Sequence, residues 1–168
     1  HNKQRRMEIK TKAKAPRILQ RLKGKADTLR LLDGESTDEK GPILDTAASI
    51  PVWCTSDTKT LTNVRESGDV CVEGISGTET VTKMADRNIA GIPFKGGLVM
   101  KNAKQSVVPV KSLNAMGYTY VQSMNGAALI KGDKAIPCIQ DGMNYRMPTT
   151  QNLKTLGYDL KMAMVKCD

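Results

Sequence analysis

The chain has 168 residues, 39% of them hydrophobic and only 4% aromatic, with 26 Lys/Arg against 17 Asp/Glu for a net charge of +9. That length allows one domain with a true core, or a small domain with extensions. No apolar run approaches the roughly 18 residues of a membrane helix, and no signal-peptide pattern opens a sequence that starts His1-Asn2-Lys3 and reads as a piece of something longer.

The charge is uneven. Residues 1–31 hold eleven of the Lys/Arg and two of the acids, Glu8 and Asp27, so the remainder carries fifteen of each sign and is neutral. A basic arm on a neutral body is expected, either contacting nucleic acid or an acidic surface or serving as a solvated leader. Within it, "PRILQRLKG" places Ile18, Leu19 and Leu22 on one helical face between Pro16 and Gly24. "DTLRLLDG" reads as a strand closed by Asp33-Gly34, "DGESTDEKG" as a loop, and "PILDTAASIPVW" as a strand with its turn.

From residue 68 the spacing is that of a β domain. "DVCVEGIS", "ETVTKMA", "GGLVM", "YTYVQ" and "AALIKG" are short Val/Ile/Thr/Tyr-rich segments separated by Gly, Asn and Asp, with Asn125-Gly126 marking a hairpin and "GDKAIPC" another turn. "PVKSLNAMGY" interrupts them with Val110, Leu113 and Met116 at helical spacing and Gly117 placed to stop the helix. The expected body is all-β with one short helix late in its core.

The chemistry points to residues 43–49. Peptide hydrolysis by carboxylates needs two of them about 3 Å apart sharing one proton, one to activate water and one to protonate the substrate carbonyl. Each must sit on a tight turn of small residues so that two backbones can approach. Ile43-Leu44-Asp45-Thr46-Ala47-Ala48-Ser49 has apolar residues to anchor a strand, the acid, a hydroxyl able to bond across, and small residues after it. An ordinary strand-to-turn junction is the alternative. Only one such motif occurs, so a protease built on it must be a homodimer with one Asp per subunit.

On these residues the sequence resembles the retropepsin-like aspartic protease of copia-type retrotransposon Gag-Pol polyproteins. "TLRLLDGESTDEKGPILDTAAS" is similar to that family's opening hairpin and its D-[ST]-G-A-S motif. "ETVTKMADRNIAG" resembles its V-x-L-A-D-G flap hairpin, and "GGLVMKNAKQSVVPVKSLNAMGY" the stretch in which a strand passes behind the site into the single helix. "AALIKGDKAIPCIQDGMNYRM" resembles the pre-integrase region that follows. The resemblance spans roughly residues 27–148. It implies a closed small barrel with one short helix, homodimeric, over residues 27–122, after a basic arm or linker at 1–26 and before a β-hairpin extension at 123–168. It further implies catalytic residues Asp45, Thr46 and Ala47, and a substrate cleft from Ala48, Ser49, Met84, Ala85, Asp86, Val107 and Val108, with residues 79–90 as a flap whose tip is "ADRN". Ala47 stands where the family has Gly, Arg87 where the flap has its turn Gly, and Val107-Val108-Pro109 where it has Leu-Leu-Ser.

The rival readings are a dimeric scaffold that has lost catalysis and a nucleic-acid-binding piece. For the latter, Arg5, Arg6, Lys10, Lys12, Lys14 and Arg17 are the phosphate-contacting candidates, with RNA or DNA as partner and no interleaved aromatics for base readout. Polyprotein peptides and a second copy of the chain are the other expected partners. No cofactor is expected: Cys54, Cys71, Cys138 and Cys167 form no C-x-x-C pair and the single His is terminal, which reads as reduced thiols in an intracellular setting, cytoplasmic or within virus-like particles. Trp53 is expected in the core or at an interface, Asp57 and Asp86 as solvated turn acids, and Gly96-Gly97 as a bulge or a turn.

Overall fold

A computed structural model describes residues 2–7, 9–10, 17, 40–54, 59–74, 77–124, 126–157 and 165–166. The expected helix at 16–24 and strand at 27–34 lie outside the described residues, apart from Arg17. The described part is mostly strand, as the β-rich spacing predicts. In chain order it runs β1 (Ile43–Asp45), β2 (Val52–Cys54), β3 (Leu61–Gly74), β4 (Gly77–Ile89), β5 (Ile92–Met100), β6 (Val107–Pro109), a helix at Val110–Ala115, β7 (Thr119–Ser123), β8 (Gly126–Lys131), β9 (Lys134–Pro137), β10 (Ile139–Asp141), β11 (Asn144–Arg146), a second helix at Thr150–Thr155, and β12 (Val165–Lys166).

Eight strands form one sheet in the order β10-β11-β1-β6-β2-β5-β4-β3, and four form another, β12-β9-β8-β7. The closed barrel is not found among the described residues, since the larger sheet ends on β10 and β3. The edge strand β3 is long, but register shifts between Thr62 and Arg65 and between Glu66 and Val70 interrupt its ladder with β4. Such bulges blunt an edge against pairing with another chain.

The centre of the larger sheet has a crossed connection. β1 and β2 follow one another in sequence, yet β6 lies between them, parallel to β1 (Ile43↔Val107, Leu44↔Val108, Asp45↔Pro109) and antiparallel to β2 (Val52↔Val107). β2 also runs parallel to β5, Trp53 opposite Val99. Pro109 ends β6 and caps the helix at extended dihedrals. Val110 and Leu113 are the buried face, as the spacing predicts. Gly117 sits at φ 91°, its N–H bonding Asn114 O while Tyr118 N–H reaches Leu113 O. That double bond is a Schellman stop, and the positive φ favours glycine there.

The second helix was not expected. Thr149 and Asn152 bond each other's backbone N–H in a capping box, and Leu153 fixes the helix to the core. The flap assignment also changes. "ADRN" is not a tip: burial alternates through Val81, Ala85, Arg87 and Ile89, so β4 continues inward past it. The chain reverses at Ala90-Gly91, both at positive φ, between paired Ile89 and Ile92. This is a type I′ turn geometry. The other end of β4 pairs with β3 as far as Gly74↔Gly77 and makes the longer hairpin.

One core joins both sheets, with Trp53, Phe94, Val108, Leu113, Leu129, Ile136, Met147 and Leu153 in a single buried cluster. Residues beyond 122 are part of it. β7 itself spans the 122/123 boundary, and β11 lies beside β1, with Ile43 opposite Arg146 and Met147 N–H bonded to Pro42 O.

Candidate active site

Asp45 is the last residue of β1, flanked by β6 on one side and β11 on the other. The strand ends because the Asp45 carboxylate turns back on its own chain, Oδ1 accepting the Ala47 N–H at 2.8 Å. This short-range bond is what Asp offers at turns. Asp45 and Ala48 are half-buried, while Thr46, Ala47 and Ser49 are exposed. The ion pairs among the described residues, Lys40 and Arg146 with Asp141 and Arg65 with Asp86, leave Asp45 out. One carboxylate on a turn of small residues, facing outward, cannot both activate water and protonate a carbonyl; a second must come from elsewhere.

The turn rests on a fastened base. Ile43 N–H bonds Ser106 O at 2.9 Å. The Ser106 hydroxyl accepts the Cys54 N–H at 3.1 Å and a 3.4 Å bond from Arg87 Nη1, joining β1, β2 and β4 at one buried residue. Arg146 secures the opposite edge of β1. Its guanidinium donates to Asp141 Oδ2 at 2.7 Å, to Gly41 O at 2.9 Å and to Gln105 Oε1. Asp141 is accordingly held below the usual carboxylate range, chiefly by the Arg146 hydrogen bond. Ser106 and Arg146 carry no local sequence signal, because each acts on segments far away in the chain.

The expected cleft residues separate into groups. Val107 and Val108 lie on the strand next to β1 but opposite Ile43 and Leu44, Pro109 being opposite Asp45, and Val108 is wholly buried in the core. Met84, Ala85 and Asp86 are on β4, with β6, β2 and β5 between it and β1 in the sheet order. Ala85 is wholly buried, and its carbonyl accepts Trp53 Nε1–H at 2.9 Å. Asp86 is not a solvated turn acid. It accepts from Gly96 N–H at 2.9 Å, Asn63 Nδ2 at 3.1 Å and Arg65 Nη1 at 3.1 Å. The Gly96 N–H first, then Asn63 and Arg65, hold its carboxyl down to about 2.

Trp53 is a core residue, edge-on to Phe94 at 6.2 Å and covered by the Arg87 guanidinium at 5.6 Å. Gly96-Gly97 forms the bulge: between Ala85↔Gly97 and Arg87↔Phe94, β5 has one residue more than β4. Of the basic candidates, Arg5, Arg6, Lys10 and Arg17 are helical and exposed, while Lys12 and Lys14 lie outside the described residues. Among the described residues, no helix is long and apolar enough to cross a membrane. Comparison with family models, with curated proteins and with solved structures finds no match.

Proposed function

We propose that this chain is an aspartic endopeptidase that processes a retroelement polyprotein, each subunit of a homodimer contributing Asp45. The observation that carries the reading is the placement of Asp45. It ends a strand in mid-sheet on an outward turn of small residues, beside a parallel strand that runs directly into a helix. A two-fold axis beside such a turn brings two carboxylates together, and no second acid of the same chain is needed. One carboxylate takes a proton from water, the other gives one to the scissile carbonyl, and Thr46 hydroxyls bond across the axis. The β3–β4 hairpin, rather than residues 85–88, takes the covering role over the peptide. Virus-like particles or the cytoplasm are the setting this reading implies.

The test is cleavage of a mixed peptide pool followed by mass spectrometry, with wild type, Asp45→Asn and a pepstatin control. The proposal expects discrete cleavage sites that pepstatin and Asp45→Asn both abolish. Cleavage that survives Asp45→Asn sinks it. The reading of a dimeric scaffold without catalysis is favoured by one residue, Ala47, whose methyl crowds the approach of two turns; a 1 Å displacement of a catalytic pair costs roughly a hundredfold. Inactivity of wild type and Ala47→Gly alike, in a protein that still dimerises, selects the scaffold.

A further inference from the structure

One end of the smaller sheet gathers positive charge that the sequence scatters. Register places Lys131 of β8 opposite Lys134 of β9, and Lys134 opposite Lys166 of β12. Three lysines thus occupy one cross-strand row in three neighbouring strands. Like charges directly opposite are destabilising, and the ion pairs among the described residues use neither Lys131 nor Lys134. Asp133, exposed in the intervening turn, is the acid nearest to them in sequence.

The basic arm reaches the same end. A cavity of about 430 Å³ between the N-terminal helical residues and the body is lined by Gln4 and Met7 from the arm, and by Asn114, Gly117, Tyr118 and Gly132 from the body. Gly132 is in the turn that joins Lys131 to Lys134. Lys131 lies over this region too, its Nζ 5.1 Å from the Tyr118 ring centroid. Met7, though largely exposed, lines this cavity, and Lys3, Arg5, Arg6 and Lys10 of the same segment are exposed.

We propose that Lys131, Lys134 and the arm cations together form one phosphate-binding surface for the backbone of a nucleic acid. Adjacent strands are about 4.8 Å apart, so Lys131 and Lys134 stand about 5 Å from each other. At 3.4 Å of rise per phosphate, the pair matches roughly two successive phosphates of one strand. Binding of phosphates would relieve the repulsion within the pair. The surface offers charge with little aromatic face for stacking: Tyr118 is buried, and Tyr120 is half-buried with its hydroxyl bonded to Gln122. It therefore holds backbone without reading sequence. This surface includes body lysines that net charge alone does not reveal, and it does not depend on the chemistry at Asp45.

The test is fluorescence anisotropy of the full chain with a 20-nucleotide RNA and a 20-base-pair DNA over a salt series. For Lys131→Gln/Lys134→Gln, binding to RNA should weaken about tenfold at 0.1 M salt. The slope of log K against log salt should become shallower by about 1.4, which is roughly 0.7 for each phosphate that is no longer neutralised. Arg5→Gln/Arg6→Gln should behave alike, and Lys131→Arg/Lys134→Arg should keep wild-type slope. If the double Gln variant fails to fold by circular dichroism, Lys134→Gln alone should lower the slope by about 0.7. An unchanged slope in the body variants, an effect confined to the arm variant, or no binding to either nucleic acid overturns the composite surface. Preference for phosphatidylserine vesicles over both nucleic acids overturns the assignment of the partner.

Discussion

Gly97 and Trp53 form a matched pair. A Cβ at Gly97 would fall inside the indole, against Nε1 and Cε2 and 2.9 Å from Cδ1. Gly97→Ala must move either the ring or β5, and overpacking of this kind costs about 1–3 kcal/mol. Trp53→Phe leaves the Ala85 carbonyl buried without the indole donor, a loss of about 1–3 kcal/mol before packing is counted. Urea denaturation of both variants measures these losses; a midpoint unchanged in Gly97→Ala shows that the bulge yields freely. Asp86 sets a pH dependence. Its folded value, about 2, lies below the unfolded one near 3.9. Its contribution is therefore complete above the unfolded value and is lost as pH falls from about 4 to about 2. Asp86→Asn should flatten stability in that window and leave its shape at neutral pH unchanged. A wild-type slope retained by the variant would assign the effect to other acids.

Among the elements, β1 depends on strands from the other end of the chain. Its neighbours β6 and β11 begin more than sixty and about a hundred residues later. Removing residues 139–168 strips β10, β11, the second helix and β12, together with the wholly buried Met147 and Leu153. A chain ending at 138 should lack cooperative unfolding by calorimetry; a sharp transition in it would show that residues 40–138 fold alone. Arg146→Ala tests the same edge more gently. It leaves the Gly41 carbonyl without its charged donor and should cost about 2–4 kcal/mol. In the dimer reading this loss falls on the strand that carries Asp45, so cleavage should decline together with stability.

For the whole molecule, the proposed mechanism requires two copies. Specific activity should rise with protein concentration until dimer is saturated. Two adjacent carboxylates titrate in two coupled steps with the singly protonated pair competent, so the rate should trace a bell centred at mildly acidic pH. Rates flat from pH 4 to pH 8, or linear in enzyme down to the lowest concentrations measured, exclude a shared dyad.

Local pattern alone made part of this legible. The β-rich spacing, the helix of Val110 and Leu113 stopped at Gly117, the turn at Gly132 and the Asp45 turn depend on neighbours within a few residues, where backbone sterics and short-range hydrogen bonds decide. Other features did not depend on neighbours. "ADRN" carries turn-like polarity, yet Arg87 is drawn into β4 because Trp53 offers its ring and Ser106 its hydroxyl. Asp86 lost its solvent to three donors that come from two other strands. The lysine row exists only because β8, β9 and β12 align in one register. Thus residue types and spacing by themselves determined the β class, the central helix and the candidate acid. Tertiary structure alone decided which strands flank that acid, which polar groups are buried and where charge accumulates, because each of these is set by pairing between segments tens of residues apart.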